Sequence, residues 1–193
     1  IDEVAEMASI ASALVINIGT LDSMWVESML LAGKTAVAKG TPIVFDPVGA
    51  GATSYRNEVC KTIIEECKPS IIRGNASEIM AIAGSSAQTK GVDSTDSSDS
   101  ALNSAKALAK QTSAIVVISG QTDYITDGEK VGTVMNGNPM MAKVTGMGCT
   151  ATAVVASFAA INKNYLEASL HGMAVMGIAG EIAVRNSKGN GSL

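Results

Sequence analysis

The chain has 193 residues, 47% of them apolar and 17% charged, with a formal net charge of −4. That length and apolar content suit one folded domain with a sizeable core and exclude a disordered chain. Scattered basic residues, negative net charge and few aromatics (one Trp, three Tyr and two Phe) argue against nucleic acid or an anionic membrane surface as partner, and no apolar run reaches the roughly 18 residues of a membrane span.

In chain order, "DEVAEMASIA" (2–11) has helical period and "ALVINI" (13–18) reads as a buried strand. A helix over 24–39 leads to the strand "PIVFD" (42–46), a helix over 55–67, the strand "SIIRG" (70–74) and a helix over 76–83. Residues 84–98 are polar and glycine-flanked and read as a loop; a helix over 101–111 and the strand "AIVVIS" (114–119) follow. This alternation predicts an α/β fold, a mostly parallel sheet with helices on both faces and right-handed crossovers. Residues 123–143 then hold three short β-like runs, "DYIT", "KVGTVM" and "MMAKV", joined by "DG" and "NGNP" turns. They predict an antiparallel meander at the sheet edge. Two long helices, 147–161 and 165–186, complete the pattern. There is no linker or repeat, so residues 1–193 read as a single domain. The start at Ile1, without a signal peptide, and the end on "NGSL" read as a piece of a longer protein, truncated at both ends.

Cys60 and Cys67 lie seven apart on one predicted helix, about 10 Å along its axis, which is too far for a disulfide. They read as buried thiols, consistent with a reducing, cytoplasmic setting. His171, the only histidine, reads as structural.

In open parallel sheets ligands bind beyond the carboxyl ends of the strands. In "VTGMGC" (144–149) Gly146 and Gly148 permit a tight turn and close backbone approach, and the helix that follows aims free amides and its dipole at the loop. That suits a phosphoryl group gathering charge during transfer. Cys149 at the helix entrance is placed to act as a weak base or to position a hydroxyl; the alternative is a plain glycine-rich helix start. In "DPVGAGA" Asp46 ends a strand beside a glycine loop, where a carboxylate holds Mg²⁺ directly or through water, or else caps a turn. "RGNASE" reads equally as a capping box from Asn75 to Glu78, or as Arg73 on nucleotide phosphate with Glu78 near a metal-bound water.

Together, "NIGTL", "DPVGAGAT-YR", "RGNASEI", "SG---YI-DG", "NG-P" and "VTG-GC", in this order, resemble the hydroxyethylthiazole kinases of the ribokinase-like superfamily, over essentially the whole chain. The resemblance implies a three-layer α/β/α fold. It implies transfer of the ATP γ-phosphate to the hydroxyl of 5-(2-hydroxyethyl)-4-methylthiazole, with Mg²⁺, in thiamine biosynthesis or salvage. It assigns Arg73 and Ser119 to ATP, Gly146 to the thiazole, Asp46 and Glu78 to the metal, and Met147, Gly148 and Cys149 to the catalytic turn. Cys149 stands where the wider superfamily has a catalytic aspartate. The family assembles as homotrimers with sites between subunits, and its N-terminal segment, with thiazole contacts, lies outside this window. Met147 stands where the family usually has a small residue, and Asn190 where it prefers Pro. Alternatives are another ribokinase-like enzyme (a hydroxymethylpyrimidine kinase or a nicotinamide-nucleotide hydrate dehydratase) and a non-catalytic fragment. A dinucleotide oxidoreductase fails, because no GxGxxG follows the first strand.

Overall fold

The computed structural model describes residues 2–84 and 94–193. Four parallel strands come first: β1 (Leu14–Asn17), β2 (Ile43–Asp46), β3 (Ile71–Asn75) and β4 (Ile115–Ser119). Two antiparallel strands, β5 (Asp123–Thr126) and β6 (Val131–Val134), extend the sheet in sequence order. The helices are α1 (Val4–Ile10), α2 (Ser23–Lys39), α3 (Ser54–Cys67), α4 (Ala76–Ile82), α5 (Ser94–Thr112), α6 (Met147–Ile161) and α7 (Tyr165–Asn186).

The period of two along each strand sorts the core into two layers. Ile16, Ile43, Phe45, Ile72, Val116 and Ile118 pack with α2 to α5 on one face. Val44, Ile71, Val117 and Ile125 pack with α6 and α7 on the other. Consecutive parallel strands joined by right-handed crossovers put their connecting helices on a single face, so the two last helices are left to cover the opposite one. Gly172 sets how closely they pack: a Cβ there would come within 2.8 Å of the Val155 backbone.

Local chemistry fixes the element ends. Asp22 caps α2 through Trp25 N–H, and Thr53 caps α3 through Arg56 N–H. Gly40 ends α2 in the left-handed conformation. Cys60 and Cys67 are buried free thiols, and burial pushes them up to about 12 and about 11 respectively.

Two expectations need correction. "MMAKV" forms no strand; Met141–Lys143 is a 3-10 turn. Pro139 has no N–H for a ladder, and Asn138 folds the chain back by accepting Met140 N–H on its side chain (2.9 Å) and Met141 N–H on its carbonyl (2.9 Å). The meander therefore has two strands, and "TGMGC" follows a turn. The second correction concerns 84–98: α5 is already helical from Ser94, a Ser/Asp-rich start being poor helix interior but a suitable amino end. Residues 85–93 of that predicted loop lie outside the described residues.

Candidate active site

Asn17, Asp46, Arg73, Ser119 and Asp123 come from five adjacent strands, β1 to β5, and all share the parity of the α6/α7 face. Asn17 pairs with Asp46 in register, and Arg73 pairs with Val117, two residues before Ser119. Asp123 lies two residues before Ile125, which packs on that face. A polar row thus crosses the sheet where the parallel strands end, under the amino end of α6.

At one end of the row Asp46 is 1% exposed. Its Oδ2 accepts from Thr152 Oγ1 (2.8 Å) and Asn17 Nδ2 (3.1 Å). Burial raises its carboxyl above the ordinary value, against the pull of the Thr152 hydroxyl and the Arg73 charge. Asn17 Nδ2 also donates to Cys149 Sγ (3.2 Å), while its Oδ1 accepts Gly19 N–H (2.8 Å). One amide thereby joins the exposed thiol to the buried carboxylate.

Arg73 is only 8% exposed. Its Nη2 donates to Ser119 Oγ (2.7 Å), and among the described residues its buried Nε has no acceptor and the guanidinium no ion-pair partner. Gly148 lets it lie against the first turn of α6, since a Cβ there would stand 2.8 Å from Nη1. Asp123, whose carboxyl is raised by burial, accepts Gly120 N–H (3.0 Å) and so pins the turn after Ser119.

Glu78 realises the capping box. Its Oε2 accepts Asn75 N–H (2.9 Å), and Oε1 reaches Gly49 N–H (2.9 Å) in the loop after Asp46. Arg56 ties the same loop to the end of β1, donating to Val48 O (2.8 Å) and Ile18 O (2.6 Å). At α6 the N-cap Gly146 sits at φ +88° with no side-chain cap; Met147 N–H donates back to Val144 O (3.4 Å), and the Gly148 and Cys149 amides remain available to an anion.

A cavity of about 190 Å³ is lined by Asp46, Arg73, Glu78 and Ser119 and, across from them, by Gly146, Gly148 and Cys149. Arg73, Ser119 and Gly148 are shared with a larger cleft of about 800 Å³ that runs out beneath α7 and the 135–142 segment. All the predicted site residues except Met147 meet at the smaller cavity; Met147 lines the larger one. Asn17, Asp123 and Thr152 escaped sequence reasoning. Asn17 ends β1 in register with Asp46, Asp123 opens antiparallel β5 on the same face, and Thr152 lies one helical turn after Gly148, a spacing that held the signal. His171 is exposed on α7 beside Phe158, with ring centroids 6.2 Å apart.

The hydroxyethylthiazole kinase family model matches residues 1–193. The chain belongs to that family. A hydroxyethylthiazole kinase of Nitratidesulfovibrio vulgaris (strain DP4) is 51% identical over 191 residues, covering 99% of this chain and 72% of the relative. One from Leptospira biflexa is 52% identical over 192 residues, covering 100% and 72%. The solved hydroxyethylthiazole kinase protein of Pyrococcus horikoshii OT3 superposes with a TM-score of 0.89 at 36% identity, covering 99% of this chain and 71% of that one. A pyridoxal kinase from Staphylococcus aureus (TM-score 0.68, 21% identity, covering 93% and 66%) shares the fold. The three-layer ribokinase-like architecture is thus that of the family. As a member of a kinase family the chain works on a small molecule with ATP as co-substrate. No described helix is long and apolar enough to cross a membrane.

Proposed function

We propose that the chain transfers the γ-phosphoryl group of ATP to the primary hydroxyl of 5-(2-hydroxyethyl)-4-methylthiazole. The observation that carries this reading is Arg73: a buried cation with an orphaned donor, set between a small cavity and a large cleft and facing an uncapped helix end. A buried donor without an acceptor is costly, and an arriving phosphate accepts the orphaned N–H in a charge-assisted hydrogen bond.

In this reading the nucleotide lies in the cleft with its phosphates against Arg73 and Ser119. The thiazole alcohol lies in the smaller cavity by Gly146. The acceptor oxygen forms a bond to the γ-phosphorus as the bond from that phosphorus to the β–γ bridging oxygen breaks, and ADP leaves. The transferred group gathers charge beside Arg73 and the amides of Gly148 and Cys149, in the turn that Met147 opens. Cys149 Sγ, oriented by Asn17, takes the hydroxyl proton in its thiolate form and becomes the thiol.

The donor set fits Mg²⁺ in its usual mode of one or two carboxylates plus phosphate oxygens and waters. Glu78 commits both oxygens to amides and both hydrogen bonds to Asp46 fall on Oδ2, so Asp46 Oδ1 would hold the ion, with Glu78 near its water shell. Bound there, Mg²⁺ neutralises charge on the phosphates.

The reading includes one domain over residues 1–193, a cytoplasmic setting and a homotrimer. Exposed apolar side chains on α1 and α2, among them Met7, Ile10, Trp25 and Leu31, support self-association; light scattering after gel filtration checks it. The activity is tested by ADP release with the thiazole alcohol, with hydroxymethylpyrimidine as the competing acceptor. Turnover should follow the thiazole alcohol; turnover with the pyrimidine alone would overturn the assignment.

A further inference from the structure

Asp123 is a buried carboxylate that the phosphoryl chemistry leaves unused. It is 8% exposed and lines the large cleft but not the small cavity. Its Oδ1 accepts Gly120 N–H (3.0 Å) and so closes the turn between β4 and β5. Among the described residues no donor meets Oδ2 and no basic side chain forms an ion pair with it, and that oxygen is not closed off from the cleft. Buried carboxylates ordinarily engage their oxygens, so the free one marks a place for a donor from outside the chain.

The sheet fixes where that place lies. The antiparallel ladder pairs Ile118 with Tyr124, so the next residues out, Ser119 and Asp123, are cross-strand neighbours with side chains on one face. Ser119 is already committed, because its hydroxyl accepts from Arg73 Nη2 (2.7 Å) and donates to Gly74 O (3.3 Å). The row therefore runs from a cation, through a satisfied hydroxyl, to a carboxylate with a spare acceptor. A nucleoside triphosphate has a matching order along its own length: anionic phosphates, then a ribose whose two vicinal hydroxyls are neutral donors, then the base. An ionised carboxylate accepts from hydroxyls and repels phosphate.

We propose, on the basis of the kinase reading above, that Asp123 Oδ2 accepts a hydrogen bond from a ribose hydroxyl of the nucleotide and makes the enzyme selective for ribonucleotides over deoxyribonucleotides. The same carboxylate turns the triphosphate away from the sugar end of the cleft and toward Arg73, so one side chain sets both the sugar and the direction in which the nucleotide lies.

The test compares kcat/KM for ATP and for its 2′-deoxy and 3′-deoxy analogues with the thiazole alcohol, in the unsubstituted chain and in Asp123→Asn. Asn keeps an acceptor for Gly120 N–H and places an amide NH₂ where Oδ2 stood. The unsubstituted chain should prefer ATP over at least one deoxy analogue by about tenfold or more. In Asp123→Asn that preference should fall to about threefold or less, chiefly through a slower reaction with ATP, because a neutral amide gains far less from a hydroxyl than a carboxylate does. Asp123→Ser, which also keeps an acceptor near Gly120, carries the same expectation if the Asn variant does not fold. Equal use of all three donors by the unsubstituted chain overturns the proposal. So does a loss common to all three donors in the variants, which is what a carboxylate that only anchored the turn would give. Absence of turnover with every donor would strike the kinase reading instead, and the affinities of ADP and its deoxy analogues, by titration calorimetry on the same chains, would still decide whether Asp123 holds the sugar.

Discussion

The two compartments beneath α6 are built on opposite terms. The small cavity is polar, its charged groups fixed by hydrogen bonds at strand ends: Asp46 by Asn17 and Thr152, Arg73 by Ser119, Glu78 by two amides. The large cleft is faced with methionines from the segment after β6 and from α7, with neutral amides of Gln121, Asn136 and Asn138 among them. Chemistry that depends on where charge develops needs groups held within fractions of an ångström. Holding a nucleotide by its base does not. The difference predicts that small changes in the polar compartment act on kcat, while changes in the cleft act on KM.

Arg73→Ala should break this contrast most severely. Among the described residues it removes the one cation that lines both compartments, so kcat/KM falls by about 10³-fold or more. Buried Asp46 and Asp123 lose the positive charge that pulls on them, so the melting temperature falls while the fold is retained. Loss of folding together with activity would instead make Arg73 a structural residue.

Asp46→Asn separates activity from stability. Burial raises the Asp46 carboxyl, so the folded chain binds this proton more tightly than the unfolded chain. Its contribution to stability is fully present below the ordinary carboxylate value, declines as pH rises to the raised folded value, and is flat above it. Asp123 acts in the same direction. Asn at position 46 keeps an acceptor for Asn17 and Thr152 while removing the charge. Turnover should fall by about 10²-fold or more through the metal, while the melting temperature at neutral pH rises. That gain should vanish as pH is lowered to the ordinary carboxylate range, as thermal scans across pH would show.

Gly148→Ala tests placement alone. The added methyl meets the far end of a flexible side chain, 2.8 Å from Arg73 Nη1, so the fold accommodates it and the guanidinium shifts. A misplacement of this size costs about 10²-fold in kcat, with little change in melting temperature or in KM for ATP. An unchanged kcat would mean that Arg73 tolerates displacement, and the contrast between the compartments would lose its basis.

Much of the polar compartment is legible in the sequence because its residues sit where two local rules coincide. Asp46, Arg73 and Ser119 end short apolar runs, and Gly146 and Gly148 open a helix, so strand ends and helix starts could be placed without knowing the packing. Asn17 and Asp123 obey the same parity, but recognising them requires knowing that β1 to β5 are neighbours in order, a long-range fact. Thr152 requires knowing which face of α6 meets the sheet. The cleft was less legible still. "MMAKV" has strand-like composition, yet Pro139 and Asn138 fold it into a turn, and Met141 packs where Gly180 leaves room. Glu78 shows the converse: the capping box was readable locally, and its second bond, to Gly49, was not.

Cys149 brings the comparison to a single atom, since sulfur serves both compartments. In the cleft it is thioether surface, while at position 149 it is a thiol held by Asn17 Nδ2 at 3.2 Å. In a loose phosphoryl-transfer transition state the acceptor proton leaves late, so a base contributes less than charge neutralisation does. Cys149→Ala should therefore lower kcat by only about tenfold, well short of the loss at Arg73, with KM for ATP unchanged. Cys149→Ser, which retains an acceptor for Asn17, should recover part of that loss. If both variants matched the unsubstituted rate, the thiol would have no part in proton transfer, and the amides of the α6 turn with Arg73 would carry the chemistry alone. If instead KM for ATP rose with kcat intact, Cys149 would belong functionally with the methionines of the cleft, and the boundary between the compartments would lie on the other side of Asn17.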